Sequence, residues 1–213
     1  MSSIMVGMTA STPPPRLTGI VLAAGAGTRM GGPKALIRAA DGDWLARATS
    51  TLLAAGCERV VVVLGAQAEA AQERVPTHAA VLAIVADRWA DGMSASLRVG
   101  LEAATGDAAV VTLVDLPGLP PDAVRRVCAA PVTAGSLRRA VYEGRPGHPV
   151  LIGRAHWEAV AAGVAGDRGA REYLVTHDVV EVECGDLFDG RDVDERPPAG
   201  RPARSPGDVT SPI

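Results

Sequence analysis

The chain has 213 residues; 47% are apolar but only 3% aromatic, so its core must be built from Ala, Val and Leu, with little left for a stacking platform for single-stranded nucleic acid. A formal net charge of −3 likewise lacks the basic footprint of a DNA or RNA binder, although a few arginines in one cleft suffice for a small anion. The length suits one α/β domain, no continuous apolar run is long enough to cross a bilayer, and Cys57, Cys128 and Cys184 are scattered without C-x-x-C spacing, which fits apolar filler residues in a reducing cytoplasm.

In chain order, residues 1–16 hold the run Thr-Ala-Ser-Thr-Pro-Pro-Pro and no charged n-region, and they read as a disordered leader, not a signal peptide. Thr18 to Ala23 is a strand, followed by a Gly-rich loop. Trp44 to Ala55 is helical and Gly56 stops it. Arg59 to Leu64 is the Val-rich run of a strand buried on both faces. A helix over Gln67 to Val75, a strand over Ala80 to Val85, a helix over Ser94 to Ala104 and a fourth strand over Ala108 to Val114 follow. Pro121 to Ala129 is a helix that begins with proline. Leu137 to Tyr142 and Pro149 to Ile152 are strands flanking a turn at Glu143-Gly-Arg-Pro-Gly. Arg154 to Ala162 and Ala170 to Val175 are helical, and Val179 to Glu183 is a last strand. The tail, residues 196–213, is rich in proline and reads as disordered, leaving one folded domain over 17–195. The alternation implies a Rossmann-like three-layer α/β/α sandwich around a mostly parallel, mixed sheet. Leu52, Leu53, Val61, Val63, Val111, Leu113 and Trp44 are core by pattern.

The segment Leu22-Ala-Ala-Gly-Ala-Gly-Thr-Arg-Met-Gly-Gly-Pro-Lys34 follows the first strand, where open α/β sheets bind ligands. Its glycines let backbone N–H groups close around phosphate oxygens, and Arg29 and Lys34 bring the positive charge a triphosphate needs. A dinucleotide fingerprint fits Gly25 and Gly27 but meets Met30 where a third glycine is required. A P-loop is interrupted by Pro33 before Lys34, and Ala35 replaces the hydroxyl that binds magnesium.

The segment resembles L-A-A-G-x-G-x-R-M-G-x-P-K of the molybdenum cofactor nucleotidyltransferases and their sugar-nucleotide relatives, in the cytidylyltransferase-like branch. Asp91-Gly-Met-Ser-Ala-Ser-Leu-Arg98 looks like that branch's G-M-S-S-S-L-R, and Asp115-Leu-Pro looks like the family's D-x-P metal motif. Gly147-His-Pro-Val and Gly166-Asp-Arg-Gly-Ala-Arg171 also resemble family segments. Asp192-Val-Asp194 stands where the family carries D-x-D-T-P-E-D, but Glu195-Arg-Pro replaces Thr-Pro-Glu.

The resemblance implies transfer of a nucleoside monophosphate from CTP or GTP to the phosphate of a molybdopterin, with release of pyrophosphate. Ala24, where the guanylyl branch has glycine, leans the base to cytosine. Arg29 and Lys34 would clamp the triphosphate, with backbone contacts from Leu22, Ala23, Ala24, Gly25 and Gly27. Mg2+ would sit on Asp115 and Asp194; the alternative for Asp115 is a turn residue before Pro117, and for Asp194 a solvated charge. Ser94, Ser96 and Arg98 open a helix whose N-terminus suits base or phosphate contacts, unless Ser94 only caps it. His148, Arg168 and Arg171 are candidates for the anionic acceptor, against a structural or surface role; His78, His156 and His177 have no evident partner. A molybdoenzyme or its chaperone would receive the product. Competing readings are a sugar-phosphate acceptor, a nucleotide-binding accessory protein without turnover, and a dinucleotide-dependent oxidoreductase.

Overall fold

Apolar strands separated by amphipathic helices stack into three layers in the computed structural model, which describes residues 13–39, 42–129, 131–163, 166 and 170–193. The residues expected to form the tail lie outside the described residues, as does the leader up to residue 12. Arg16, by contrast, is tied down at both ends of its backbone: its N–H donates to Asp107 Oδ2 and its carbonyl accepts from Asp107 N–H, each at 2.8 Å.

In chain order the elements are β1 Leu17–Ala23, β2 Arg38–Ala39, β3 Gly42–Asp43, α1 Trp44–Ala54, β4 Arg59–Leu64, α2 Ala68–Gln72, β5 Val81–Val85, α3 Met93–Ala103, β6 Ala108–Leu113, α4 Pro121–Cys128, β7 Leu137–Tyr142, β8 Arg145–Gly153, α5 Trp157–Gly163, α6 Arg171–Thr176 and β9 Val180–Glu183. Short 3-10 turns interrupt them, among them Thr28–Met30 and Lys34–Leu36 within the Gly-rich segment. The main sheet has the order β5-β4-β1-β6-β8-β7-β9. β5, β4, β1 and β6 pair in parallel, as do β7 and β9; β8 pairs antiparallel with both β6 and β7, so the sheet is mixed.

Side-chain alternation along the strands divides the core in two. Val21, Val60, Val62, Leu64 and Val110 face a layer containing Leu45 and Leu52 of α1 and Val124 and Val127 of α4. Ile20, Leu22, Val61, Val63 and Val111 face the other way, onto Leu97 and Leu101 of α3, Val160 of α5 and Leu174 of α6. Strands buried on both faces need no polar stripe, which is why β4 reads as unbroken valine. The helix α1 ends where the chain turns at Gly56, with φ 102°. In α3, a side chain at Gly100 would come within 2.8 Å of Ile20, so the glycine lets this helix lie close on β1.

The expected strands and helices are present, with informative differences. The helix expected over Gln67 to Val75 is shorter, Ala68–Gln72, and Gln67 takes a left-handed conformation before its first residue. The expected turn at Glu143-Gly-Arg-Pro-Gly is a two-residue hairpin turn at Glu143 and Gly144, with φ of 53° and 75°, and β8 already begins at Arg145. α3 begins at Met93, with Gly92 at the cap, so Ser94 is not a capping residue.

Candidate active site

Strand order reverses between β1 and β6: the chain steps from β1 to β4 and β5 on one side, then crosses to β6 on the other. Both segments that the sequence singles out emerge at this switch point, the Gly-rich loop from β1 and Asp115 from just beyond β6. Backbone bonds lock the strand ends together. Val114 N–H donates to Leu22 O at 3.1 Å, and Ala66 N–H donates to Ala24 O at 3.0 Å.

The loop is closed by its own backbone. Gly27 O accepts from Met30 N–H at 2.9 Å and from Gly32 N–H at 3.1 Å, while buried Met30 and Ala35 anchor it to the core. Gly27 has φ 58°, and a Cβ there would meet Gly32 O at 2.0 Å, so only glycine fits. A Cβ at Gly25 would meet nothing within 4 Å, because this residue borders open space. The N–H groups of Gly25, Ala26 and Gly27 have no backbone acceptor among the described residues. After the loop come two single 3-10 turns and Pro33 instead of the α-helix that a dinucleotide fingerprint or P-loop would open.

A cavity of about 580 Å³ lies over the loop, lined by the residues from Leu22 to Thr28 and by Lys34, Trp89, Met93, Ser96 and Asp115, among others. Lys34 Nζ donates to Asp115 Oδ2 at 2.8 Å, and the two side chains are only 17% and 16% exposed. Asp115 Oδ1 is buried and has no hydrogen-bond partner among the described residues. An orphaned carboxylate oxygen beside a row of backbone donors fits a hard cation carried in with phosphate. No group of three or more His, Cys, Asp or Glu side chains converges among the described residues, so phosphate oxygens and water would have to supply most of such a cation's coordination. Asp194 lies outside the described residues; the residue before it, Val193, donates its N–H to Asp115 O at 3.0 Å.

A second cavity, of about 270 Å³, adjoins the first across Leu22 and Met93, which line both. Its walls are largely apolar, from Leu97, Val111, Val150, Ile152 and Leu174, with Arg139, His148 and Arg171 also lining it. Burial pushes the His148 imidazole down to about 4, so it is neutral at physiological pH. His148 thus lines the apolar cavity, where it offers a neutral donor and acceptor. Arg171 is exposed at the first residue of α6, and Arg168 lies outside the described residues.

The α3 residues separate. Ser96 lines the loop cavity, whereas Ser94 and Arg98, one turn apart, line a different recess beside Asp87, Arg88 and Asp91. Arg98 Nε donates to Ala161 O at 2.8 Å, tying α3 to α5, and neither Ser94 nor Arg98 reaches the loop cavity. Arg29 is exposed on the first 3-10 turn, outside the cavity lining. Sequence reasoning missed Arg139, which pairs with Glu181 and sits two residues from Leu137, on the same face of β7; that period-two spacing was the signal available. It also missed partners of three histidines. His156 bonds Tyr173 Oη and Gly135 O, His177 stacks on Tyr173, and His78 Nδ1 accepts from Ala80 N–H.

The family model described as the MobA-like NTP transferase domain matches residues 19–181. The nicotine blue oxidoreductase of Paenarthrobacter nicotinovorans is 38% identical over 191 residues, which is 84% of this chain and 93% of that protein. The molybdenum cofactor guanylyltransferase of Burkholderia ambifaria is 30% identical over 83% of this chain and 90% of its own length. Among solved structures, Rv0371c of Mycobacterium tuberculosis superposes with a TM-score of 0.72 at 27% identity, covering 86% of this chain and 95% of that one. Its complex with manganese superposes with a TM-score of 0.64 at 26% identity, covering 79% and 88%.

Proposed function

The chain belongs to the MobA-like NTP transferase family, and from that premise we propose that this nucleotidyltransferase moves CMP from CTP to the phosphate of a molybdopterin, releasing pyrophosphate. The observation that carries this reading is the Lys34–Asp115 pair facing the Gly-rich loop at the sheet's switch point. The backbone N–H groups from Gly25 to Gly27 hold the triphosphate and Lys34 follows the charge that builds on the leaving pyrophosphate; Arg29, exposed outside the cavity lining, would have to swing in to join them. An acceptor phosphate oxygen attacks the α-phosphorus in line as the bond to pyrophosphate breaks, so the protein's part is positioning and charge neutralisation. Asp115 would hold a magnesium ion, which would neutralise charge on the α-phosphate; Asp194 is the second ligand proposed, and the manganese complex of a structural relative supports a divalent cation.

The acceptor's ring lies in the apolar cavity, with its phosphate directed across Leu22 and Met93 towards the nucleotide. Arg139 and Arg171 serve its anionic groups, as does Arg168, and His148 contributes a neutral hydrogen bond. Ser96 is placed for the nucleotide. Ser94 and Arg98 support the helix that carries it.

Two observations favour other readings. Relatives named guanylyltransferase favour GTP over the CTP to which Ala24 leans. The 38% identical relative is named an oxidoreductase. Against that second reading, the loop has Met30 where a dinucleotide fingerprint needs glycine and opens no α-helix.

Purified protein with magnesium and molybdopterin is assayed for pyrophosphate release with CTP, GTP, ATP and UTP in turn. Release with CTP alone supports the reading, and release with GTP alone changes the base. No release, together with oxidation of NADH or NADPH in the presence of nicotine blue, replaces the transferase reading with the oxidoreductase one.

A further inference from the structure

We propose that Lys34 is the resident counter-ion of Asp115, so that a divalent cation reaches this carboxylate only together with a nucleotide. The ammonium sits on Asp115 Oδ2 at 2.8 Å, and Oδ1 is left buried without a partner among the described residues. Among the described residues Asp115 is the one carboxylate that lines the cavity, and one of its oxygens is thus already neutralised by a cation of the protein itself. A divalent ion entering alone would face that ammonium at close range in a partly buried site, where like charges are poorly screened. The described residues offer no further cluster of metal-ligating side chains to offset the repulsion.

A triphosphate changes both terms. Its oxygens give the Lys34 ammonium a further, more highly charged partner across the same cavity, and they complete the cation's coordination. Lys34 is well placed for the exchange, because it stands at the start of a 3-10 turn whose neighbour Ala35 is anchored in the core while its own side chain faces the cavity. The pair therefore couples two binding events: each ligand removes an obstacle to the other, and the coupling is reciprocal.

The inference rests on the reading of this cavity as a triphosphate site, and its test reads cation binding instead of turnover. Free Mn2+ is titrated into the full chain and followed by electron paramagnetic resonance, alone and with an α,β-methylene analogue of CTP or GTP. The wild type binds Mn2+ weakly alone and at least about tenfold more tightly with the analogue. Lys34→Met, which keeps the side-chain length without the charge, gains about tenfold in Mn2+ affinity in the absence of nucleotide, and adding Asp115→Asn to it abolishes the gain. Lys34→Arg, which keeps the charge, binds Mn2+ alone as weakly as the wild type. Equal Mn2+ affinity in the wild type and Lys34→Met overturns the counter-ion role, even if the wild type releases pyrophosphate. A gain in Lys34→Met with no pyrophosphate release from any triphosphate leaves the counter-ion role standing and removes the transferase reading.

Discussion

The two adjoining cavities are built in different ways. The loop cavity is built around one Gly-rich segment contiguous in the chain, closed by Asp115 at the end of the neighbouring strand and by the start of α3. The apolar cavity is assembled from residues of β8, from single residues of β1, β6 and β7, and from α3 and α6, segments far apart in sequence. A site that grips phosphate needs many donors in a fixed arc, which a short loop supplies. A site that grips a ring needs shaped walls, which only packed elements supply. The first is therefore fixed by motif and the second by register, so chemistry and specificity can be altered separately.

The sharpest way to break that division is to remove the charge at Asp115. Asp115→Asn keeps the shape, and pyrophosphate release is expected to fall on the order of a thousandfold if a cation is held there. Leu174→Ala in the apolar cavity is expected to act mainly on the KM for the acceptor; an equal loss of kcat in the two variants would show that the cavities do not divide the work. Next in size is Lys34→Ala, which loses roughly 3 kcal/mol of transition-state stabilisation, on the order of a hundredfold in rate. A rate near that of the wild type would remove Lys34 from the phosphate site.

A glycine pair tests the loop itself. Gly27→Ala forces a Cβ to 2.0 Å from Gly32 O at a φ of 58°, and thermal or urea unfolding should report a loss of about 1–3 kcal/mol. Gly25→Ala meets nothing within 4 Å and should unfold within about 0.5 kcal/mol of the wild type, yet bind nucleotide less tightly because its methyl enters the cavity. Equal stability of the two variants would mean that the loop is not closed by Gly27.

The contrast also explains what was legible in the sequence. The Gly-rich loop and Asp115 could be read because a motif contiguous in sequence stays together in space, and the valine runs marked the central strands. The α3 residues were only half legible. Ser94 and Ser96 share a short motif, but two residues on a helix is a rotation of about 200°, so one faces the loop cavity and the other turns away. Arg139 needed the placement of β7 in the sheet as well as its period of two, which puts neighbours on opposite faces: buried Arg138 bonds Val127 O and Pro131 O, while Arg139 turns to the cavity. The two-residue strands β2 and β3 carry no period to detect.

The smallest expected effect concerns the apolar cavity and the charge state of His148. Its pKa in the folded protein is pushed down to about 4 by burial, below the value near 6.5 of an exposed imidazole. Between these values the unfolded chain binds the extra proton, so the histidine lowers stability progressively as pH falls through that window and has no such effect above it. The guanidinium groups of Arg139 and Arg171, which line the same cavity, oppose a further positive charge there. His148 is only partly shielded from solvent in the fold, so the expected cost on acidification is about 1–2 kcal/mol and not the full shift. Urea unfolding of the wild type and of His148→Gln, compared at about pH 7 and about pH 4.5, measures it. The wild type should lose that amount relative to the variant as pH falls, because glutamine keeps a neutral polar group and cannot protonate. A constant difference between the two would mean that His148 takes up its proton as readily in the folded state as in the unfolded chain, so that burial does not hold it neutral.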